Sequence, residues 1–149
     1  MKIAIGNDHR GLHLKKKILQ KFSHITFINV GSDSEERVDY PDYAKEVAQK
    51  VSQRECDLGI LICGSGVGMS IAANKFPGIR ASLVWDTKVA ALTRQHNDSN
   101  ILCLSGDLID EKKAFDIVQT WLETSFEGGR HEVRLKKIQA IERELKGKK

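Results

Sequence analysis

Short runs of apolar residues without polar alternation recur five times along the chain. They cover residues 2–6, 26–31, 58–64, 80–85 and 100–106. Between the runs, apolar residues recur every three or four positions, as Leu14, Ile18 and Phe22 do. The first pattern is typical of strands that are covered on both faces, and the second of amphipathic helices. The sequence therefore predicts a three-layer α/β/α sandwich around a five-stranded, parallel, Rossmann-like sheet.

A last helical segment, from about residue 129 to residue 145, has no strand after it. Ile138, Ile141 and Leu145 form an apolar stripe along this segment. We expect an extra C-terminal helix whose stripe packs on a partner subunit. The chain has 149 residues, two prolines and no low-complexity stretch, so we expect one domain over residues 1–149.

The formal net charge of +4 comes largely from Lys15, Lys16 and Lys17 and from the terminal KGKK of residues 146–149. Aromatic residues do not interleave with these lysines as a nucleic-acid groove requires. We interpret the first cluster as a solvated helix face and the second as a frayed terminus, and expect no nucleic-acid partner. The longest apolar run, LGILIC, is far shorter than the roughly 20 residues of a membrane span. We therefore expect no membrane interaction.

The three cysteines, Cys56, Cys63 and Cys103, have no CxxC spacing, and the chain opens on a strand-like KIAIG without a signal peptide. This pattern predicts a reducing, cytoplasmic compartment and free thiols. Cys56 and Cys103 are interpreted as structural residues.

The segment ILICGSGVGMSIAANK is predicted to form a strand, a glycine loop and a helix. Gly64, Gly66 and Gly68 let the backbone approach a ligand closely, and the following helix N-terminus favours an anion. Ligands of parallel sheets bind beyond the carboxyl ends of the strands, where Cys63 lies. The helix field there favours a thiolate, which is typical of a base or nucleophile. A small buried hydrophobic residue is the alternative interpretation of Cys63.

The same loop partly matches the dinucleotide motif GxGxxG. Met69 occupies the third glycine position, and the loop follows the third strand rather than the first. A nucleotide-binding domain is therefore the weaker alternative.

Three further polar segments are predicted near sheet edges or helix ends. Asp8 and His9 follow the first strand, and His96 closes the fourth helix. Arg130 and Arg134 lie in the first turns of the last helix, where cations oppose the helix dipole unless an anion such as phosphate is bound. A turn, a helix cap and ordinary surface arginines are the simpler alternatives. No group of residues has metal-ligand spacing, so we expect neither a metal nor another cofactor.

Five stretches span nearly the whole chain: GNDHRG, RVDYPDYA, GILICGSGVGMSIAANKFPGIRA, RQHNDSN and FEGGRH. In their order and spacing they resemble the family of ribose 5-phosphate isomerase type B, which also contains galactose 6-phosphate and allose 6-phosphate isomerases. RQHND and GGRH distinguish the pentose-phosphate members from the galactose 6-phosphate subunits. The resemblance implies an aldose-ketose isomerase that interconverts ribose 5-phosphate and ribulose 5-phosphate through an enediolate without a cofactor. Allose 6-phosphate is the alternative substrate.

The resemblance also implies a role for each matching residue. Cys63 is the base that moves a proton between C2 and C1, and Ser65 stands at the position of a family hydroxyl. His96, with Asp8 nearby, opens the furanose ring. The implied substrate contacts are Asn97 and the loop of Gly64, Gly66, Val67 and Gly68 for the enediolate, His9, Arg130 and Arg134 for the phosphate, and Asp39 and Tyr40 for the sugar.

One residue departs from the family pattern. Many relatives carry an arginine that helps to hold phosphate after the fifth strand, where this chain has Asp107. The exchange predicts either a weaker phosphate affinity or a six-carbon substrate. The resemblance further implies a homodimer or homotetramer with sites at the subunit interface, and it leaves open which subunit supplies His96 and Asn97.

Overall fold

A single parallel sheet forms the middle of the protein in a computed structural model that describes residues 1–147. Its strands are β1 (Lys2–Asn7), β2 (Thr26–Asn29), β3 (Leu58–Cys63), β4 (Ala81–Leu83) and β5 (Ile101–Ser105). They lie in the order β2-β1-β3-β5-β4, and every neighbouring pair is parallel. The side chains of β3 and β5 are almost entirely buried, which explains their apolar runs without alternation.

Six α-helices connect and cover the strands over residues 1–147. They are α1 (Leu12–Lys21), α2 (Tyr40–Ser52), α3 (Val67–Ala73), α4 (Thr87–Asn97), α5 (Glu111–Glu123) and α6 (Arg130–Lys146). α1 and α5 contribute to the core on one face of the sheet, and α2 and α3 to the core on the other. The predicted α/β/α sandwich and the extra C-terminal helix are both confirmed.

β4 is shorter than the sequence pattern predicted. The apolar run covers residues 80–85, but the strand comprises only Ala81–Leu83, and Trp85 is 57% exposed. The chain leaves the sheet here because Asp86 starts α4, where its carboxylate accepts a hydrogen bond from the Val89 N–H at 3.1 Å. A helix cap therefore ends the strand before its apolar pattern ends.

Lys15 does not belong to a solvated helix face, so that prediction was wrong for this residue. Its side chain is fully buried, and Nζ donates to the Ser32 carbonyl at 2.7 Å and to Asp33 Oδ1 at 2.6 Å. The hydrogen bond and charge of Lys15 hold the pKa of the Asp33 carboxyl below its ordinary value. Lys15 thus fastens the loop after β2 to α1, whereas Lys16 is exposed as predicted.

α6 carries the apolar stripe that the sequence predicted. Leu135 is buried, whereas Ile138, Ile141 and Leu145 are between 50% and 63% exposed. Covering of the stripe by a partner stays a prediction. The expected fraying of Lys148 and Lys149 lies outside the described residues. Over residues 1–147, no helix is both long enough and apolar enough to cross a bilayer.

We expect Gly11→Ala to destabilise the fold, because Gly11 crosses β3 in close contact. A Cβ there would lie 2.5 Å from the Ile62 carbonyl oxygen and 2.8 Å from Ile62 Cβ. Overpacking of this kind costs about 1–3 kcal/mol of unfolding free energy, which urea unfolding would measure. Gly147→Ala is the matched control, since its Cβ would meet no atom nearer than 3.6 Å. Equal stability of the two variants would contradict the prediction.

Candidate active site

The loop after β3 wraps its backbone around the Cys63 sulfur. Cys63 is the last residue of the strand, is only 5% exposed, and its Sγ accepts a hydrogen bond from the Gly66 N–H at 3.2 Å. Gly66 has φ +82°, a conformation that glycine adopts readily. Ser65 is exposed, and its Oγ accepts from the Val67 N–H at 3.2 Å. The sulfur therefore lies under a loop whose shape depends on glycine.

Hydrogen bonds from the end of β5 hold this loop in place. The Cys63 carbonyl accepts from the Gly106 N–H at 2.8 Å, and the Gly64 carbonyl accepts from the Asp107 N–H at 3.1 Å. The Ser105 hydroxyl donates a further hydrogen bond to the Gly64 carbonyl at 2.5 Å. The two loops thus form one rigid floor at the carboxyl edge of the sheet.

Asp8 and His9 follow β1 at the same edge. Asp8 is buried, its N–H donates to the carbonyl of Ile62 at 3.2 Å, and its Oδ1 accepts from the N–H groups of Arg10 and Gly11. Its carboxylate therefore caps the short 3-10 turn, as the simpler alternative held. Asp8 follows Asn7, which pairs with Ile62 of β3, so Asp8 and Cys63 leave neighbouring strands at the same level. His9 Nδ1 accepts a hydrogen bond from the Val38 N–H at 3.2 Å, just before α2. The other ring nitrogen, Nε2, is therefore left for a ligand.

Asp39 and Tyr40 lie beside α3 at the start of α2. Asp39 is in the N-cap position of α2, but its side chain makes no capping hydrogen bond. The Tyr40 ring lies over Gly68, where an added Cβ would be 2.5 Å from Tyr40 Cε1. Both side chains are exposed. The glycine at position 68 is therefore what allows the phenol ring to lie next to the loop of Cys63.

A second polar group surrounds His96 at the end of α4. The His96 ring stacks on the ring of His131 with centroids 4.2 Å apart and an interplanar angle of 11°. Glu127 Oε2 lies 3.5 Å from His131 Nε2. Arg130 and Arg134 are both exposed, and their charges act on His131. The stack on His131 thus holds the His96 ring, to which the family resemblance gives a catalytic role.

The two groups lie at opposite edges of the sheet. α4 begins beyond the carboxyl end of β4 and must return the chain to the amino edge, where the parallel β5 begins. It has 11 residues and is about 16 Å long, so His96 and Asn97 lie near the amino edge. α5 returns the chain to this edge in the same way. The residues placed at the amino edge are His96, Asn97, Arg130 and Arg134, and those at the carboxyl edge are Asp8, His9, Asp39, Tyr40, Cys63, Gly64, Ser65, Gly66, Val67 and Gly68.

Three potential metal ligands meet in the second group. One ligand atom each from His96, Glu127 and His131 lies within 4.8 Å of the others. The two imidazole planes are nearly parallel, so the nitrogen lone pairs, which lie in the ring planes, do not converge on one point. In this arrangement the group does not form a tetrahedral zinc site, and the rings would have to rotate to bind an ion.

The other two cysteines are buried outside the loop that follows Cys63, with Cys56 before the amino end of β3 and Cys103 within β5. Burial raises the pKa of the Cys56 thiol and, more strongly, that of the Cys103 thiol. A raised thiol pKa disfavours the reactive thiolate. These environments agree with the structural roles expected for both residues, and all three cysteines are free.

Sequence reasoning missed three residues near these groups. Arg10 forms an ion pair with Asp107, with Nε 2.5 Å from Oδ2. His131 and Glu127 complete the stack on His96. Arg10 directly follows His9 in GNDHRG, and His131 directly follows Arg130 in GGRH. This proximity to candidate site residues could have identified both from the sequence. The contact of Glu127 with His131 and that of Asp107 with Arg10 depend on the folded structure, and no sequence motif indicates them.

We expect the stability of the protein to fall below about pH 6.5 because of His131. Burial, followed by the charges of His96 and Arg130, lowers the pKa of the His131 imidazole, while Glu127 opposes the shift. The unfolded chain, with a histidine pKa of about 6.5, then binds the proton more tightly than the folded chain. The contribution of the neutral His131 imidazole to stability is complete above about pH 6.5. It is lost as the pH falls through the pKa that His131 has in the folded state.

The measurement is the free energy of urea unfolding between about pH 5 and pH 8. His131→Gln should flatten part of the pH dependence, whereas His13→Gln, at an exposed position on α1, should leave it unchanged. An equally steep pH dependence in His131→Gln would contradict this assignment.

Comparisons with known proteins identify the family of the chain. The sequence profile of the family "Ribose/Galactose Isomerase" matches residues 3–138. The chain is 48% identical to ribose-5-phosphate isomerase B of Escherichia coli over 143 residues, which cover 95% of this chain and 96% of that protein. The chain therefore belongs to the ribose/galactose isomerase family, and it is an isomerase.

Solved structures have the same fold. Ribose-5-phosphate isomerase B of Clostridium thermocellum superposes with a TM-score of 0.94 at 48% identity, covering 97% of this chain and 99% of that chain. The enzyme of Mycoplasma genitalium, solved with bound ribulose-5-phosphate, gives a TM-score of 0.91 at 44% identity over 96% and 97% of the two chains. The predicted family resemblance is thus confirmed.

Proposed function

We propose that this chain interconverts ribose 5-phosphate and ribulose 5-phosphate, with Cys63 as the base. The observation that carries this assignment is the position of the sulfur, at the carboxyl edge of the sheet beneath a backbone N–H of the glycine loop. Cysteine is among the side chains that serve as general bases, and the thiolate is its basic form. Cys63 takes the proton from C2 of the open-chain aldose and returns a proton to C1.

The neighbouring residues open the sugar ring and stabilise the intermediate. His96, with Asp8 across the site, moves the proton that opens the furanose. Asn97, the hydroxyl of Ser65 and the amides of the loop from Gly64 to Gly68 stabilise the enediolate. The rigid floor formed with the end of β5 supports this role, because fixed donors need little reorganisation when charge develops.

The two ends of the substrate have distinct partners in this proposal. His9, Arg130 and Arg134 bind the phosphate, and Asp39 and Tyr40 contact the sugar hydroxyls. The uncapped Asp39 carboxylate and the exposed guanidinium side chains of α6 support the assignment, since each is available to a ligand. An anion would also relieve the unfavourable position of two cations in the first turns of a helix.

Two subunits share each site in the proposed homodimer, which can associate further into a tetramer. Cys63 and His96 lie at opposite edges of one sheet, so a single protomer cannot place both against one sugar. A partner that supplies its own amino-edge group completes the site. The exposed stripe of Ile138, Ile141 and Leu145 offers an apolar surface for this contact.

The substrate assignment is tested by initial rates on ribose 5-phosphate and allose 6-phosphate, with a chelator present and no nucleotide added. A higher kcat/KM for ribose 5-phosphate supports the proposal. A preference for allose 6-phosphate would make the chain a six-carbon isomerase, the alternative that Asp107 suggested. The nucleotide-binding alternative has little support, because Met69 is fully buried where the motif needs its third glycine.

The proposed enzyme works in the cytoplasm and uses no cofactor. The three free thiols support a reducing compartment. Proton transfer by a thiol and stabilisation of the enediolate by backbone donors leave no step that needs a metal or a nicotinamide.

A further inference from the structure

Arg10 and Asp107 form a bridge over the loop that follows Cys63. Arg10 belongs to the turn after β1 and Asp107 to the loop after β5, and Arg10 Nε lies 2.5 Å from Asp107 Oδ2. A Cβ added to Gly64 would lie 2.9 Å from that carboxylate oxygen and 3.2 Å from Nε. The bridge therefore lies directly on the residue that follows the proposed base.

The backbone of Arg10 is held on two sides. Its N–H donates to Asp8 Oδ1 at 3.0 Å. Its carbonyl oxygen packs against Gly106, where an added Cβ would be only 2.5 Å away. Asp107 is fixed as well, because its own N–H donates to the Gly64 carbonyl at 3.1 Å. The backbones of both residues are thus held by neighbouring groups, and the Arg10 guanidinium is held by its ion pair with Asp107.

The outer face of this guanidinium is available to a ligand. Asp107 takes only Nε, although a guanidinium and a carboxylate can form two parallel hydrogen bonds. Over residues 1–147 no other side-chain hydrogen bond of Arg10 is formed, and 58% of its side chain is exposed. Exposed ion pairs contribute little to stability, so folding alone does not explain the arrangement. A fork of N–H donors directly after His9, the proposed phosphate ligand in the same turn, fits a phosphate.

We propose that Arg10 binds the phosphate of the sugar substrate and that Asp107 positions its guanidinium. This inference rests on the proposed function. It also gives Asp107 a defined effect: the carboxylate does not repel the phosphate, because Arg10 neutralises it and presents N–H donors from the opposite loop. Arg10 is a substrate-binding residue, and Asp107 is a positioning residue.

The test compares Arg10→Gln, Asp107→Asn and the exchange variant Arg10→Gln/Asp107→Arg with the wild type. Losing a charge-assisted hydrogen bond weakens binding about 10- to 100-fold, so Arg10→Gln should raise KM for ribose 5-phosphate by that factor while kcat changes little. Asp107→Asn should raise KM less. The exchange variant returns a guanidinium from the β5 loop and should recover most of the affinity. Arg54→Gln, at an exposed arginine near the amino edge, is the matched control.

Calorimetric titration with inorganic phosphate gives a readout that does not need turnover. Weaker phosphate binding in Arg10→Gln, with restoration in the exchange variant, supports the inference even if wild-type protein fails to isomerise ribose 5-phosphate. In that case only the proposed function fails. Unchanged KM and unchanged phosphate binding in a folded Arg10→Gln variant, judged by its thermal midpoint, would overturn the inference.

Discussion

Cys63→Ala is expected to lower kcat for ribose 5-phosphate isomerisation at least about 100-fold, because general-base catalysis contributes that much or more. Cys63→Ser should be similarly impaired, since a hydroxyl is a much weaker acid than a thiol and seldom supplies a base without an activating partner. KM should change less than kcat, because the sulfur acts on the reacting carbons rather than on the phosphate. Initial rates with both variants measure the loss.

Cys56→Ala is the matched control for this loss. Cys56 is as buried as Cys63, at 4% exposed, but lies near the amino end of β3 and outside the loop. It should retain near wild-type kcat, with at most a modest loss of stability. Circular dichroism and the thermal midpoint establish that each variant is folded. Substantial turnover by a folded Cys63→Ala protein would contradict the role of the thiol as the base.

A heterodimer of Cys63→Ala and His96→Gln subunits is expected to recover activity that both parent variants lack. Both sites of each parent homodimer are defective. The Cys63→Ala homodimer lacks the thiol in both sites, and the His96→Gln homodimer lacks the imidazole in both sites. In the heterodimer, one site receives both mutations and the other receives the native Cys63 and the native His96. One intact site of two gives about half of the wild-type activity per dimer.

Two different affinity tags on coexpressed subunits allow the heterodimer to be isolated from both homodimers. A doubly tagged Cys63→Ala homodimer is the control for contaminating or adventitious activity, and it should stay inactive. If each protomer instead formed its own complete site, the heterodimer would contain no intact site. An inactive, folded heterodimer would therefore contradict the shared site.

The order of the elements could be predicted from the sequence because the strands are buried on both faces. Residues 58–64 contain no alternation, and β3 occupies Leu58–Cys63, one residue shorter than the apolar run. Where the prediction was less accurate, a polar interaction decided the outcome. Asp86 caps α4 and thereby ends β4 early, and Lys15 is buried because the loop after β2 supplies acceptors that its helical position does not reveal.

The chemical character of the candidate site could also be predicted, but its distribution in space could not. The position of Cys63 between a strand and a glycine loop could be predicted, since strand, loop and helix are adjacent in the chain, and its role as the base stays a prediction. The separation of Cys63 from His96 depends on the direction of α4, and the stack of His96 on His131 depends on the packing of α4 and α6. The bridge between Arg10 and Asp107 joins residues 97 positions apart, which no local pattern reports.

The most direct test of the isomerase assignment is the approach to equilibrium from both sides. Purified protein is incubated with ribose 5-phosphate in one sample and with ribulose 5-phosphate in another, with a chelator present, and both sugars are followed by nuclear magnetic resonance. The predicted result is the same final ratio of aldose to ketose in both samples. Absence of interconversion in either direction by folded wild-type protein would contradict the assignment.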